Sequence, residues 1–362
     1  MTDVIDVLEV RRDDLGITRH TTDPLPQLGD GQVLLRVDRV GLTANNVTYG
    51  AAGDMVGYWK FFPSAEDGWG RIPVWGFADV IGGAVEGVPI GTRVFGYLPM
   101  ATHLVVTPAR VSPSGFSDGS AHRADLPAVY NQYRFTAADP TYQPDTEDIQ
   151  AIFIPLFVTS FVLDDYLADN NDFGAQQIII SSASSKTAAG TALCTSGRDG
   201  DRPRVVGLTS PGRVEHVQSL GCYDKVLAYD QIGDLASVPS VFVDIAGNAG
   251  VRHEVHRHLG DQLGASVAVG LTHWDATATD EVLPGPTPEF FFAPSQIQKR
   301  VADWGQDGYQ ARLGVAWERL LEVAPTWATI VERDGLAGLE AAFLAMVQDA
   351  ADPSEASIAV LA

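Results

Sequence analysis

The sequence predicts an α/β chain of two domains, one β-rich and one built on a doubly wound parallel sheet. Three observations carry this. The chain has 362 residues, 45% of them hydrophobic, which is enough for two cores. Its first 120 residues alternate short apolar runs with Gly and Pro, the texture of strands joined by tight turns. From residue 147 onward, apolar runs alternate with helical periodicity, as parallel strands with crossover helices require.

The elements follow in order. Gln32–Val40, Thr92–Tyr97 and Thr102–Val106 are strand runs of the first part. Residues 114–146 are polar and weakly periodic, which predicts an extended excursion or linker. Residues 148–170 have helical periodicity. Gln177–Ser181 reads QIIIS, as a strand buried on both faces should. The small residues of Ser182–Gly190 lead into the next helix. Strands at Arg204–Leu208, Lys225–Ala228, Val241–Ile245 and Ser266–Gly270 alternate with helices at Gly212–Leu220 and 250–260. The tail offers a helix at 307–324, a strand at Ala328–Glu332, a helix at Leu336–Gln348 and a strand at Ser357–Leu361. So few elements make no core of their own, so the tail is expected to rejoin the first domain. The expected division is 1–147 with 307–362, and 148–306.

Composition narrows the function classes. The formal charge is −22, and only four of the 24 basic residues are Lys. Nucleic-acid binding needs a basic face to neutralise phosphates, so no nucleic-acid partner is expected. A membrane span needs about 20 consecutive apolar residues. The apolar stretch Ile152–Leu163 is broken by Pro155, Thr159 and Ser160, so no membrane partner is expected either. The start of the chain carries Asp3, Asp6, Glu9, Arg11, Arg12, Asp13 and Asp14, against a secretory leader. Cys194 and Cys222 form neither a disulfide framework nor a zinc cluster. A cytoplasmic protein acting on a small-molecule substrate is the expectation.

The strand–turn–helix at Ile178–Leu193 reads IIISSASSKTAAGTAL. A dinucleotide loop needs small residues here, so that backbone and helix N-terminus can face a pyrophosphate. Ser182, Ser185 and Ala188 stand where glycines are usual. Ser184, Ser185 and Thr187 offer hydroxyls and Lys186 offers charge, while an ordinary strand–helix junction is the alternative. The second strand ends in GLTSPGR (Gly207–Arg213). An NAD site usually has an acid there. Thr209, Ser210 and Arg213 suit a 2′-phosphate instead, which favours NADP(H). Ala246 and Gly247 close the Val241–Ile245 strand, where a nicotinamide ribose would lie, and Asp244 is either part of that site or structural.

This order of parts resembles the medium-chain dehydrogenase/reductase superfamily, in its zinc-free quinone-oxidoreductase-like branch. Ile72–Phe77, Val80–Val88 and Ile90–Tyr97 are similar to its glycine-rich β region, and Phe153–Leu167 to its helix before the cofactor fold. Thr209–Gly221 with Tyr229 is similar to its NADP-phosphate segment, and Ala328–Leu361 to its closing elements. Within the superfamily, GYWKFFP (Gly57–Pro63), WGRIPVWGFAD (Trp69–Asp79), LPAVYNQYRF (Leu126–Phe135) and SSASSKTA (Ser181–Ala188) resemble a bacterial family of unknown function. The resemblance implies a GroES-like β-rich catalytic domain, a Rossmann-type domain and a homodimer. It adds Thr159, Tyr229 and Gly270 to the candidate cofactor residues. Gly41–Tyr49 and Gly76–Ala78 lack the Cys and the Gly-His-Glu of zinc-dependent members, so no metal is expected.

A zinc-free reductase needs a hydrogen-bond donor for the developing oxyanion. The catalytic candidates are Tyr49, Tyr58, Lys60, Tyr130, Asn131, Tyr133 and Arg134. Asn45, Asn46, Trp75 and His122 are candidates for holding substrate. The reaction expected is NADP(H)-dependent reduction of a small or medium apolar enone, quinone or ketone. A non-redox lyase or aldol-type cleavage on the same fold, and a non-enzymatic NADP(H) sensor, are the alternatives. His253, His256 and His258 share one helix and are expected on an exposed face. Phe290, Phe291 and Phe292 are expected at a cofactor edge, at a subunit interface or in the core.

Overall fold

A computed structural model of the chain describes residues 4–269, 283–352 and 354–362. Gly270, expected at the cofactor site, lies outside them. The chain packs as two compact units, Met1–Ile154 with Ala328–Ala362, and Pro155–Trp327.

The first unit is β-rich. A nine-stranded sheet runs Thr329–Asp334, Glu355–Val360, Val33–Leu42, Pro73–Gly83, Arg93–Pro99, Gln132–Phe135, Gly115–Asp118 and Pro108–Ser112, with His103–Val106 also pairing to Val33–Leu42. A three-stranded sheet places Val4–Arg11 between Thr18–Pro24 and Trp69–Gly70. The chain's last strand joins by antiparallel pairing, Ile358 opposite Gly41 and Ala359 opposite Val40. Val33, Leu35, Val37, Val80, Val94 and Leu98 are fully buried in this core. At about 25 cal/mol per Å² of apolar surface, such residues dominate its stability.

Residues 114–146 are not a linker. Gly115–Asp118 and Gln132–Phe135 are strands of the main sheet, with 3-10 turns at Ala121–Arg123, Ala128–Asn131 and Thr136–Ala138. Two four-residue strands are too short to leave a period in the sequence. Their aromatic residues anchor them: Phe116 and Tyr133 are buried and stack at 5.2 Å.

The Glu147–Asp169 helix leaves the first unit and enters the second. Together with the Pro144–Thr146 turn before it, the helix is long and apolar enough to cross a membrane by length and hydropathy alone, and half of its most apolar window is buried. Pro155 removes one backbone donor without ending the helix.

The second unit is a parallel sheet ordered Lys225–Ala228, Arg204–Thr209, Gln177–Ile180, Ser240–Asp244, Leu263–Ala268, Glu289–Phe290. Numbered along the chain this is 3-2-1-4-5-6, the doubly wound order, which puts ligands beyond the carboxyl ends of the strands. Ile178, Ile179 and Ile180 are buried on both faces, with Ile179 opposite Val206 and Phe242.

Three expectations are corrected here. The expected 307–324 helix spans Ala293–Trp327 with a break at Gly305 (φ 74°), and it packs in the second unit. The unit boundaries therefore fall at 154/155 and 327/328. The three histidines do not share an exposed face. His256 is buried between the Pro284 carbonyl (2.9 Å) and Ser266 Oγ (2.9 Å), and His258 bonds the Leu235 carbonyl. Phe291 is buried, whereas Phe290 and Phe292 are exposed beside it.

Candidate functional site

Two groups of candidate residues are each organised within one unit. In the second unit, Ser182 follows the Gln177–Ile180 strand with φ +51°, left-handed backbone that a side chain adopts only at a cost of about 1–3 kcal/mol. The loop therefore keeps the glycine conformation without the glycine. Tyrosines brace it. The Ser182 N–H donates to Tyr229 Oη at 3.0 Å, and Tyr223 Oη donates to the Ala183 carbonyl at 2.9 Å. The Lys186–Ser196 helix then begins, with Ser185 Oγ capping the Ala188 N–H. Its first N–H groups lack intrahelical acceptors and favour an anion.

Lys186 opens that helix, half-buried, and desolvation lowers its ammonium to about 8. Gly190 lets two helices touch, since a Cβ there would lie 2.6 Å from Ser160 Oγ. Ser160 in turn donates to the Thr187 carbonyl at 2.8 Å, which fixes the helix start. Thr159 is half-buried next to it in sequence.

Asp244 is structural. Its Oδ1 accepts from Ser181 Oγ and the Gly247 N–H, and its Oδ2 accepts from Arg252 at 2.8 Å. Ser181 Oγ also accepts the Ile245 and Ala246 N–H groups. This buried lock sets the backbone of Ala246 and Gly247 beside the serine loop. At the next strand end, Thr209 is buried and Ser210 and Arg213 are half-buried on the turn that follows. No acidic side chain stands between Gly207 and Arg213.

In the first unit, a short helix and a 3-10 turn carry Tyr49 and Tyr58. Tyr49, Tyr58, Tyr97 and Tyr130 converge with Trp75, Phe61 and Phe62 into one aromatic cluster. Tyr97 and Tyr130 lie 4.8 Å apart by ring centroid, and Tyr49 and Tyr58 lie 4.7 Å apart. Tyr49 Oη accepts from Asn45 Nδ2 (3.1 Å) and Trp75 Nε1 (3.2 Å). The Tyr58 and Tyr130 hydroxyls pair at 3.2 Å. Burial raises all four phenols above their ordinary value, so they remain protonated donors at neutral pH.

Four other candidates of this unit are tied into the framework. Asn46 is buried, caps its helix at the Thr43 N–H and donates to the Pro73 carbonyl. Tyr133 Oη donates to the Tyr97 carbonyl at 2.8 Å. Asn131 donates to the Arg123 carbonyl, and Arg134 pairs with Asp139 at 3.1 Å. Lys60 and His122 are exposed, although His122 Nε2 reaches the Phe61 carbonyl at 3.3 Å.

Sequence reading missed several contributors. Tyr97 lies in an ordinary strand run, and Ser181, Ser160 and Tyr223 sit beside the motifs rather than in them. Arg123 and Asp118 form an ion pair only 1% exposed, with Arg123 also 4.6 Å from the Phe62 ring centre. No cluster of His, Cys, Asp and Glu suited to a metal ion occurs among the described residues.

A family described as "Protein of unknown function (DUF2855)" matches residues 40–352. No curated protein matches the sequence. Solved structures do match in fold. CurA in complex with NADPH from Vibrio vulnificus is 12% identical, with a TM-score of 0.63 over 99% of both chains. The YhdH oxidoreductase from Salmonella enterica in complex with NADP is 14% identical, with a TM-score of 0.52 over 99% of this chain and 100% of that one. The CurK enoyl reductase is 14% identical, with a TM-score of 0.55 over 99% of both. The fold is thus that of the medium-chain dehydrogenases/reductases, a GroES-like unit and a Rossmann-type unit.

Proposed function

The chain belongs to this family of unknown function, and we propose that it is an NADP(H)-dependent, zinc-independent reductase of a small or medium apolar enone, quinone or ketone. The observation that carries the reading is the Ser182 loop, held in left-handed backbone at a helix N-terminus by Tyr229 and Tyr223. Backbone strain of that kind persists where the surroundings impose it, characteristically at ligand clamps. The residues fit a phosphorylated dinucleotide. Small side chains let the backbone approach a pyrophosphate, Lys186 adds charge, and Ser210 and Arg213 stand where an acid would select NAD.

When bound, NADPH supplies a hydride. The protein's own residues then orient the substrate and stabilise charge at its oxygen. The tyrosine hydroxyls of the first unit are the donors assigned to that task. Their aromatic setting excludes water, which strengthens each hydrogen bond.

The test mixes the protein with NADPH and a panel of enones, quinones and ketones and follows loss of NADPH absorbance. Substrate-dependent loss supports the reading. Absence of NADP(H) binding by calorimetry refutes it. Product formed without cofactor turnover points instead to lyase chemistry, and tight binding without any turnover to a sensor.

A further inference from the structure

The second unit buries a titratable group that no step of the proposed reaction uses. His256, on the Ala249–Leu259 helix, is fully buried. Its Nδ1 lies 2.9 Å from the Pro284 carbonyl, and its Nε2 lies 2.9 Å from Ser266 Oγ. These partners fix where the hydrogens are. A carbonyl only accepts, so Nδ1 carries the ring hydrogen. A neutral ring then has a bare Nε2, to which the Ser266 hydroxyl donates. The ring thus joins its own helix to the Leu263–Ala268 strand and to residues 283–288. Those residues run directly into Glu289–Phe290, which pairs with the same strand, Glu289 opposite Val267 and Phe290 opposite Ala268.

An added proton does not fit this arrangement. It makes Nε2 a donor and displaces the hydroxyl hydrogen of Ser266, whose Oγ has no other hydrogen bond among the described residues. It also sets a charge out of reach of water, which is costly unless the charge is paired. Arg252 and His253 of the same helix oppose a cation there. Asp244 of the Ser240–Asp244 strand attracts one, but its oxygens are already held by Arg252, Ser181 and the Gly247 N–H. The Leu263–Ala268 strand and residues 283–288 carry no titratable side chain, and Asp230, Asp234 and Asp261 on nearby turns are exposed. Burial accordingly lowers His256 below the ordinary imidazole value, against the pull of the Pro284 carbonyl.

We propose that His256 is an acid-sensitive latch. Neutral, it ties residues 283–290 to the Leu263–Ala268 strand. Protonated, it frees them and, through Arg252 one turn away, loosens the Asp244 lock that holds Ala246 and Gly247. The folded chain binds fewer protons here than the unfolded one. The latch is therefore whole above about pH 6.5 and weakens as pH falls from there through the lower folded-state value. The loss of dinucleotide affinity that follows rests on the NADP(H) reading, whereas the opening of residues 283–290 does not.

The test uses the full chain at about pH 7.5 and about pH 5, on either side of the ordinary imidazole value. Nitrogen-15 NMR should show His256 as the Nδ1–H tautomer at the higher pH, titrating below the ordinary value. Hydrogen exchange, corrected for the intrinsic effect of pH, should show residues 289–291 and Leu263–Ala268 opening more often in acid. The expected factor is about tenfold for each pH unit by which burial holds the proton off. Gln177–Ile180, in the middle of the same sheet, should not change. His256→Asn keeps an N–H near Nδ1 and cannot titrate, so the acid opening should vanish, while His258→Asn should retain it. An Nε2–H tautomer, a cationic His256 at neutral pH, equal opening at both pH values, or acid opening that survives in His256→Asn overturns the proposal. Should His256→Asn not fold, the tautomer and exchange profile of the parent decide. NADPH affinity is measured separately by fluorescence titration and should fall as the segment opens. Opening without loss of affinity overturns the link through Arg252. No NADPH binding at either pH refutes the NADP(H) reading and leaves the latch standing.

Discussion

The serine loop of the second unit is shaped by main chain, whereas the aromatic cluster of the first unit is shaped by side chains. Around Ser182 the polar groups that matter are N–H and C=O groups, and braces such as Tyr229 and Ser181 act by holding them. Around Tyr49 they are phenols, an indole and an amide gathered from four separate stretches of chain. A main-chain site tolerates exchange of Gly for Ser, provided the backbone angle survives. A side-chain site tolerates little, because each oxygen has a counted set of partners. The difference explains how the loop can lack every usual glycine and still keep the form of a cofactor loop.

The largest expected effect falls on the side-chain site. Asp118→Ala strands the Arg123 charge in a 1% exposed position. Breaking a buried pair by removing one partner costs about 3–5 kcal/mol, measured as a shift in the denaturant midpoint. NADP(H) affinity should remain once the folded fraction is accounted for. Loss of both together would erase the distinction between the two regions.

Next is Gly190→Val, which drives a branched side chain into Ser160 Oγ, where even the first side-chain carbon would come within 2.6 Å. Overpacking of this kind costs about 1–3 kcal/mol, and displacement of the Lys186–Ser196 helix should weaken NADP(H) binding at least tenfold by fluorescence titration. Unchanged affinity would detach that helix start from the ligand.

Ser182→Gly should do the opposite. It relieves the left-handed strain at φ +51°, raising stability by about 1 kcal/mol in thermal unfolding while NADP(H) still binds. A destabilised variant would mean that the Ser182 side chain contributes more than the backbone it sits on.

A pH dependence also distinguishes the two regions. Burial lowers Lys186 to about 8, below its ordinary value, so the folded chain binds fewer protons than the unfolded one between the two values. Stability therefore rises with pH across that window, and the cost of burying the ammonium is fully present below it. NADP(H) affinity runs the other way, falling as pH rises through about 8 and the cation is lost. In Lys186→Met the step should vanish, and in Lys186→Arg it should vanish with affinity retained.

Legibility in the sequence follows the same division. The parallel sheet can be read because Ile178, Ile179 and Ile180 must be apolar on both faces, and the cofactor loop because small residues follow them. The histidine helix misleads because the partners of His256, Ser266 and Pro284, lie beyond the helix that carries it. The tyrosine cluster is legible only in part. Tyr49, Tyr58 and Tyr130 stand out by composition, but Tyr97 reaches them only through sheet pairing, with Tyr97 opposite Trp75. Residues 114–146 hide two strands for the same reason, since their register is set by neighbours rather than by any period of their own.

The most direct test is equilibrium titration of the full chain with NADPH and with NADH, repeated on Arg213→Ala. Saturable NADPH binding at least tenfold tighter than NADH, with the preference reduced in Arg213→Ala, is the expected result. No saturable binding of either dinucleotide, or equal affinity for both, would contradict an NADP(H) site at the serine loop.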